Sequence, residues 1–462
     1  MGKEAHVASY PDTLPLSVKL CYGTGSLAKT IQGLLISVYL LYFYTDALGI
    51  SPGLAGNIVF WGRIWDLLND PIVGAAIDRT RAPGGACRIF LKRFSVPAGI
   101  LLALCFAVPD LSDGLTILWV VAAYLIQAWT STLIQIPLNT LMGRLTPDKK
   151  QRAQLNQAGL IFSLAGNYLV TSYTIPLLNA LGEGNLRRGY LYLGVLFGFV
   201  YTLCCLIVLV GTRGYETCES VAYSNDSERP KHPLLYLATL LQNRIWLCII
   251  AFYVPYIVAT VLESSAMVYY YQYVLHNPGL LSHYSAVSTA CSCVIYVGLP
   301  IFIKYFGNSK VLGIGCCFYI AGHLFRFFLN DSAYLILTVG WIISSLGLSL
   351  VASTIILNVF DARVYGEWKT GVRHDALLMS GFTVSSTIGM AFGSALVGWL
   401  LELVPYVEGV AQQVPAVEQM LFYMNTLIPA AAVGISLLFS VPIICNERKL
   451  PLMRREIENR LK

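Results

Sequence analysis

The sequence predicts an all-α membrane protein in which twelve transmembrane helices form two six-helix bundles. Of its 462 residues, 56% are hydrophobic and only 12% are charged, whereas soluble domains carry about 25% charged residues. Apolar stretches of about 20 residues, the length that crosses a bilayer as a helix, recur along the chain with short polar breaks between them. The composition therefore excludes a soluble globular protein.

Several of the predicted spans exceed the thickness of a bilayer, which indicates tilted or kinked helices. The twelve spans run approximately from Val18 to Gly49, Pro52 to Ile77, Ile89 to Pro109, Gly114 to Leu145, Leu155 to Leu181, Tyr190 to Val210, Ile245 to Leu275, Ser285 to Phe306, Val311 to Leu329, Tyr334 to Phe360, Ala376 to Val404 and Met420 to Cys445.

The longest polar interior segment separates six spans from six. We therefore expect residues 1–213 to form an N-terminal six-helix bundle, 214–232 a cytoplasmic linker, and 233–462 a C-terminal six-helix bundle with a basic cytoplasmic tail. The apolar stretch from Pro233 to Asn243 is too short to cross a bilayer and is predicted to lie as a helix at the inner interface.

Lysine and arginine residues collect on alternate connections between the spans, and this asymmetry predicts the orientation in the membrane. One set of connections and the C-terminal tail contain Arg79, Arg81, Arg88, Lys92, Arg93, Arg144, Lys149, Lys150, Arg152, Arg213, Arg229, Lys231, Lys304, Lys310, Arg363, Lys369, Arg373, Arg448, Lys449, Arg454, Arg455, Arg460 and Lys462. The opposite connections contain only Arg187 and Arg188. We expect both termini in the cytoplasm and the protein in the cell membrane.

The sequence shows no sign of catalytic or cofactor chemistry. Its 12 cysteines have no metal-binding spacing, and no Ser/His/Asp set or phosphate-binding loop is visible. The net charge of +6 is spread over short loops rather than gathered into a stripe, so no nucleic-acid partner is expected. We expect no enzyme activity and no cofactor. We also expect the protein to be surrounded by membrane lipid and to function as a monomer.

Charged residues inside the second span mark the candidate site. Arg63, Asp66 and Asp70 lie in an apolar run, and charges at that depth usually serve a function. The two acids are four residues apart, so on a helix they share one face and can bind one small cation. Pro71 leaves the Leu67 carbonyl without its helical donor, which frees an oxygen nearby. The alternative is that the acids only neutralise Arg63 and neighbouring basic groups.

The end of the second span carries a further motif. The sequence Gly74-Ala-Ala-Ile-Asp78-Arg79-Thr-Arg81 resembles the major facilitator signature GxxxDRxGRR, although its closing GRR is lost. In this interpretation Gly74 permits close helix approach. Asp78 and Arg79 pair with neighbouring helix ends and form a conformational latch.

Several short motifs occur together in chain order, and the combination is more specific than any one of them. They are Tyr22-Gly23-Thr24-Gly25 in the first span, Phe43-Tyr44-Thr45-Asp46-Ala47-Leu48-Gly49-Ile50-Ser51 at its end, Arg63-Ile64-Trp65-Asp66 and Asn69-Asp70-Pro71 in the second, Ile136-Pro137 in the fourth, and Tyr365-Gly366-Glu367-Trp368-Lys369-Thr370-Gly371 before the eleventh. This set resembles the glycoside, pentoside, hexuronide and cation symporter family, which is melibiose permease-like and has sodium-coupled lysolipid carriers as animal relatives. The resemblance implies a major facilitator fold and cation-coupled transport.

The resemblance also implies roles for matched residues. Asp66 and Asp70 stand where the family binds its coupling ion, Na⁺ or H⁺, and Lys29 and Lys369 match family lysines of the substrate cavity. Lys369 is equally consistent with an ordinary cytoplasmic cation in a loop.

Several positions depart from the family pattern and weaken its sugar site, and a family arginine of the fifth span has no counterpart near Gly159 and Leu160. Thr30 and Gln135 replace acids, and Asn139 replaces an aromatic residue. Gln135 can still offer a carbonyl oxygen to the cation or hydrogen bonds to a solute. Thr30, Gln135 and Asn139 are therefore kept as expected cavity residues.

Two further groups lie in the C-terminal spans. Glu263 is expected in the substrate cavity with Lys29 as its partner, whereas the nearby tyrosines 269, 270, 271 and 273 are expected to form an aromatic belt at the outer interface. His323 and Arg326 share a helix face, which allows a proton relay. However, Arg326 lies close enough to the span end to extend to the interface, and this interpretation is favoured.

The function predicted from these observations is symport of a small organic solute, most simply a sugar or glycoside, with a cation. The acidic sugar ligands of the family are missing, and some relatives carry lysolipids. An amphiphile such as a lysolipid is therefore the alternative substrate. A second alternative is a non-transporting membrane sensor that retained the fold, because fold does not determine function.

Overall fold

The computed structural model describes residues 14–80, 85–146, 148–215, 243–331, 333–370, 375–410 and 412–461. Within these ranges the regular structure is helical, and no strand is present. The helices coincide closely with the apolar stretches, because only a helix satisfies its own backbone hydrogen bonds in a bilayer. The predicted all-α class is confirmed.

The helices at the twelve predicted spans are numbered α1 to α12, and one more follows. They are α1 Leu16–Ala47, α2 Pro52–Arg79, α3 Ala86–Leu104, α4 Asp113–Leu145, α5 Lys149–Gly182, α6 Leu186–Gly211, α7 Arg244–Val274, α8 Leu280–Phe306, α9 Asn308–Leu329, α10 Tyr334–Thr370, α11 Asp375–Glu402, α12 Pro415–Glu447 and α13 Leu450–Leu461.

Ten of these helices are, within the described ranges, long and apolar enough to cross a membrane. The other two at predicted spans are α2, which contains Arg63, Asp66 and Asp70, and α3, which carries three basic residues. The chain is therefore an integral multi-pass membrane protein. The count of twelve spans stays a prediction, because α2 and α3 are not among the ten.

One local prediction is corrected by the structure, and another falls mostly outside the described residues. Lys369 was expected in a loop, but it lies in α10, which continues to Thr370. The predicted interfacial helix from Pro233 lies outside the described residues except for Asn243, whose side chain accepts a hydrogen bond from the Trp246 backbone at 3.0 Å and caps α7.

The chain divides into two compact units. The first comprises residues 1–36 and 65–228, and the second comprises residues 37–64 and 229–462. The end of α1 and the beginning of α2 thus belong with the second unit, although the sequence predicted them within the first bundle.

The first unit is held together by close helix crossings. In it α1 packs against α5 and α6, and α3 packs against α4 and α6. At the crossing of α3 and α6, a methyl group built on Gly99 would lie only 2.4 Å from the Gly198 carbonyl oxygen. Glycine is needed there because the two backbones touch.

The second unit has a large apolar core between α7, α9, α10, α11 and α12. Glycines again permit close packing, since a methyl group built on Gly322 of α9 would lie 2.5 Å from the Ser344 backbone nitrogen of α10. The last part of α7, Tyr270–Val274, and two stretches of α1, Leu35–Tyr39 and Phe43–Ala47, are π-helical. Such wide turns often occur at functional sites.

We predict that Gly99→Ala destabilises the protein, because its methyl group would overlap the Gly198 carbonyl and the Thr202 hydroxyl. Overpacking of this kind typically costs about 1–3 kcal/mol. The measurement is the midpoint of thermal unfolding of the purified protein. Gly434→Ala on α12 is the control, since no atom lies within 4 Å of a methyl group built there. Equal midpoints for the two variants would refute the tight crossing.

Candidate functional site

The two acids of α2 lie on an unbroken helix, so their spacing of four residues puts them on one face. Both are half-buried, and the side chain of Thr132 on α4 hydrogen-bonds the Asp70 carboxylate. Asn69 lies between them in the sequence and is 1% exposed. Within the described ranges its side-chain nitrogen has no hydrogen-bond partner, so a bound water or solute would satisfy it.

Gln135 lies three residues after Thr132 on α4, and the two positions share a helix face. Its side-chain nitrogen donates to the Gln32 amide oxygen of α1 at 3.4 Å. This bond uses the N–H of Gln135, and its carbonyl oxygen is the group that can coordinate a cation. In the described ranges, no group of three or more His, Cys, Asp or Glu side chains is placed to hold a metal ion.

Lys29 and Asn139 are brought together by the packing of the first unit. The Lys29 ammonium donates to the Asn139 amide oxygen at 3.2 Å, and both side chains are exposed. Thr30 differs, because its hydroxyl donates to the Ser26 carbonyl at 3.0 Å and it packs against Gly166 of α5. Lys29 and Asn139 therefore offer open polar groups, whereas the Thr30 hydroxyl is engaged within its own helix.

Glu263 was expected to line the substrate cavity, but it is buried among side chains of the second unit. The carboxylate is 6% exposed and accepts a hydrogen bond from the Tyr319 hydroxyl at 2.6 Å, with His323 at 3.4 Å. These partners lie on α9, within the same unit. In this conformation Glu263 belongs to a buried cluster.

Arg326 was expected to extend to the membrane interface, and this prediction is wrong. It is 2% exposed and donates to Asp331 at 2.8 Å. The chain turns back after α9 because Asn330 and Asp331 adopt left-handed conformations, with φ of 54° and 46°. This reversal of the chain brings the Asp331 carboxylate back to the Arg326 guanidinium in the last turn of α9.

The predicted aromatic belt is also wrong, since all four tyrosines are buried. Tyr269 contacts the Thr45 hydroxyl at 2.8 Å, Tyr270 bonds Asp331, and Tyr273 bonds Asp46. A buried phenol needs such a partner. Tyr270 and Tyr273 therefore donate hydrogen bonds to carboxylates inside the second unit.

The predicted latch is only partly described. No described atom lies within 4 Å of a methyl group built on Gly74, so the expected close helix approach is absent in this conformation. Asp78 and Arg79 lie at the end of α2, and their side chains are outside the description. Lys369 is exposed at the end of α10, where the neighbouring Trp368 donates to Glu456 of α13 at 2.5 Å.

Asp46 is a buried acid whose surroundings the sequence did not reveal. It is 9% exposed and accepts hydrogen bonds from Thr45 and Tyr406, each at 2.7 Å, and from Tyr273. These donors lie on α1, on α7 and in the segment after α11. An acid at the end of an apolar span, together with a tyrosine-rich turn elsewhere, was the signal that could have suggested this cluster.

The beginning of α2 is fastened to α11 within the same unit. The Gly53 backbone N–H donates to Glu402 at 2.8 Å, and the Trp399 indole donates to Asn57 at 2.9 Å. Together with the Asp46 cluster, these bonds connect the ends of two N-terminal helices to C-terminal helices. They join these segments within the second unit.

Comparisons with known proteins agree with this architecture. The family model described as "MFS/sugar transport protein" matches residues 21–443. The chain belongs to the glycoside, pentoside, hexuronide and cation symporter family of the major facilitator superfamily. As a member of this symporter family it is a secondary transporter and not an enzyme.

Curated relatives of this symporter family match the chain along most of its length. The isoprimeverose transporter of Lactiplantibacillus pentosus is 26% identical over 94% of this chain and 91% of the relative. The putative glycoside/cation symporter YagG of Escherichia coli is 25% identical over 97% and 96%. The putative sulfoquinovose importer of Escherichia coli is 24% identical over 97% and 96%.

Solved structures confirm the fold of this symporter family member. A bacterial homologue of the iron transporter ferroportin, in an inward-facing state, has a TM-score of 0.64 at 12% identity and covers 93% of this chain and 98% of that one. A bacterial homologue of the lysosomal transporter Spinster, also inward-facing, has a TM-score of 0.64 at 13% identity, covering 95% and 97%. Identities this low show the major facilitator fold alone.

Tyr406→Phe is predicted to destabilise the protein, because it leaves the buried Asp46 carboxylate one donor short. Burial and the neighbouring carboxylate raise the pKa of the Tyr406 phenol, so it remains a donor across the physiological pH range. Removing one partner of a buried polar group costs about 1–3 kcal/mol. Thermal unfolding measures the effect, with Tyr334→Phe, 54% exposed in the parent, as the control. An unchanged Tyr406→Phe midpoint would contradict the assigned role.

Proposed function

We propose that the protein is a symporter that uses a cation gradient to carry a sugar or glycoside across the cell membrane, with both termini in the cytoplasm. The observation that carries the proposal is the pair Asp66 and Asp70 on one face of α2, with Thr132 bonded to Asp70 and Gln135 one turn further along α4. Two carboxylates within a membrane helix are costly unless they bind something. The names of the relatives support the solute class.

The donor set favours Na⁺ over H⁺ as the coupling ion. A proton needs one carboxylate oxygen, whereas a hard metal cation is stabilised by several oxygens at once. Asp66, Asp70, the Thr132 hydroxyl and the Gln135 carbonyl offer such a set. Binding of one Na⁺ would neutralise one of the two carboxylate charges and so reduce the cost of burying them.

The solute is proposed to bind where Lys29 and Asn139 are exposed. Their ammonium and amide groups can exchange the mutual 3.2 Å hydrogen bond for bonds to sugar hydroxyls. The positive charge of Lys29 also favours a second candidate, an anionic sugar such as a uronate or a sulfonated sugar. The relative named as a putative sulfoquinovose importer is consistent with that candidate.

Coupling requires that cation and solute favour the same conformation, since each ligand shifts an equilibrium only by its differential affinity. We place the Asp46 cluster and the bonds between α2 and α11 at the outer side of the membrane. These hydrogen bonds would have to break for solute to enter from that side. Asp46, Tyr273 and Tyr406 would then exchange partners with water.

The solute can be found by ligand-induced stabilisation. Glycosides including isoprimeverose, uronates, sulfonated sugars and lysolipids are added to the purified protein, with and without Na⁺, and the unfolding midpoint is measured. A ligand that binds the folded state raises the midpoint. We expect a sugar to stabilise more strongly with Na⁺. Stabilisation by a lysolipid alone would overturn the proposed solute class.

Uptake in proteoliposomes tests the assignment of the two acids. Asp66→Asn and Asp70→Asn keep the shape and remove the charge, so Na⁺-driven accumulation of the stabilising sugar should fall at least about 100-fold, the effect of losing roughly 3 kcal/mol. Asp113→Asn is the matched control, because Asp113 is exposed in the first turn of α4. Sugar binding should survive in all three variants, since the solute contacts are on other residues. Accumulation that persists in both α2 variants would disprove the ion site.

A further inference from the structure

The second unit contains a buried pair of titratable side chains that the proposed ion site does not use. Glu263 of α7 and His323 of α9 are 6% and 0% exposed. Tyr319, one turn before His323, is 1% exposed and donates to Glu263 Oε2 at 2.6 Å. Because so little water reaches these side chains, a charge on one of them must be compensated by a charge or hydrogen bond from a neighbouring group.

The position of one histidine proton follows from a break in α12. Residue 429 is a proline, so the Asn425 carbonyl cannot receive the helical hydrogen bond that residue 429 would normally donate. That carbonyl instead lies 3.1 Å from His323 Nδ1 and 3.3 Å from Arg326 Nη1. Because a carbonyl oxygen only accepts, the His323 Nδ1 must carry a proton.

The other ring nitrogen then faces an acid. His323 Nε2 lies 3.4 Å from Glu263 Oε2. If the ring were neutral, with its single proton on Nδ1, two acceptors would face each other in a site that is buried from solvent. One additional proton between Nε2 and Oε2 removes this repulsion. The Tyr319 hydroxyl donates to Oε2 and thereby stabilises the carboxylate form, so the additional proton belongs on Nε2.

Other ionisable groups around the pair do not supply that proton. Arg326 is matched by Asp331, to which it donates at 2.8 Å, and Tyr270 also bonds Asp331. The groups that act on the Glu263 charge are Tyr256 and Tyr271 of α7, Tyr284 of α8, and Tyr319, His323 and Arg326 of α9. Arg326 and Asp331 neutralise each other, which leaves Glu263 to be balanced by His323.

We propose that Glu263 and His323 form a proton-binding site, separate from the cation site on α2, in which His323 is held as an imidazolium. The site couples protonation to the contact of α7 with α9 and with the break in α12. It does not depend on the identity of the solute or of the coupling ion. A cavity of about 510 Å³ is lined by Tyr270, Asp331 and Phe327, and Phe327 lies one turn after His323 on α9.

Nuclear magnetic resonance of ¹⁵N-histidine-labelled full-length protein tests this proposal. The chain has six histidines, and replacing His6, His232, His276, His283 and His374 by Gln leaves the His323 signal alone. At pH 8 we expect protons on both ring nitrogens of His323. The exposed His283, observed in the parent and assigned by its loss in His283→Gln, provides the matched control.

Glu263→Gln completes the test, since the neutral amide removes the charge that holds the proton. His323 should then become neutral, with a proton on Nδ1 only. Folding of each protein is checked by its unfolding midpoint. If Glu263→Gln fails to fold, the variant in which the other five histidines are replaced by Gln still tests whether His323 carries both protons. A His323 that is neutral at pH 8 in a protein with Glu263 intact, or that carries its proton on Nε2 alone, would overturn the proposal.

Discussion

An ionisable side chain inside a membrane helix is tolerated only when another group compensates its charge, and the acids of this chain obey that constraint in different ways. Asp46 is surrounded by hydroxyl donors, and Glu263 is balanced by His323 and Tyr319. Asp66 and Asp70 are half-buried on one helix face, and Thr132 hydrogen-bonds Asp70. The least enclosed pair is therefore the one suited to bind and release an ion.

Interruptions of the helices create the polar environments that these acids need. The π-helical end of α1 carries Asp46, and the π-helical end of α7 carries Tyr270 and Tyr273. In α12, Pro429 frees the Asn425 carbonyl to accept from His323. A regular helix keeps its backbone bonds to itself, so each interruption provides a group or a direction that an ideal helix lacks.

Much of the fold could be predicted from the sequence, because apolar stretches of bilayer length leave few alternatives to helices. The spacing of Asp66 and Asp70 was equally readable, since it depends only on helix geometry. The surroundings of Arg326 were not readable, because Asp331 reaches it through a left-handed turn. The burial of the tyrosines near residue 270 could not be predicted either, because it depends on partners far away in the chain, such as Asp46.

The central claim, that Asp66 and Asp70 hold the coupling ion, is tested most directly by isothermal titration of Na⁺ into purified protein. The parent should bind one Na⁺ per chain, and lowering the pH should weaken this binding as protons compete for the carboxylates. Asp66→Asn and Asp70→Asn should each weaken Na⁺ binding by at least about 100-fold, which corresponds to roughly 3 kcal/mol. Equal Na⁺ affinity in the parent and both variants would mean that these acids are structural.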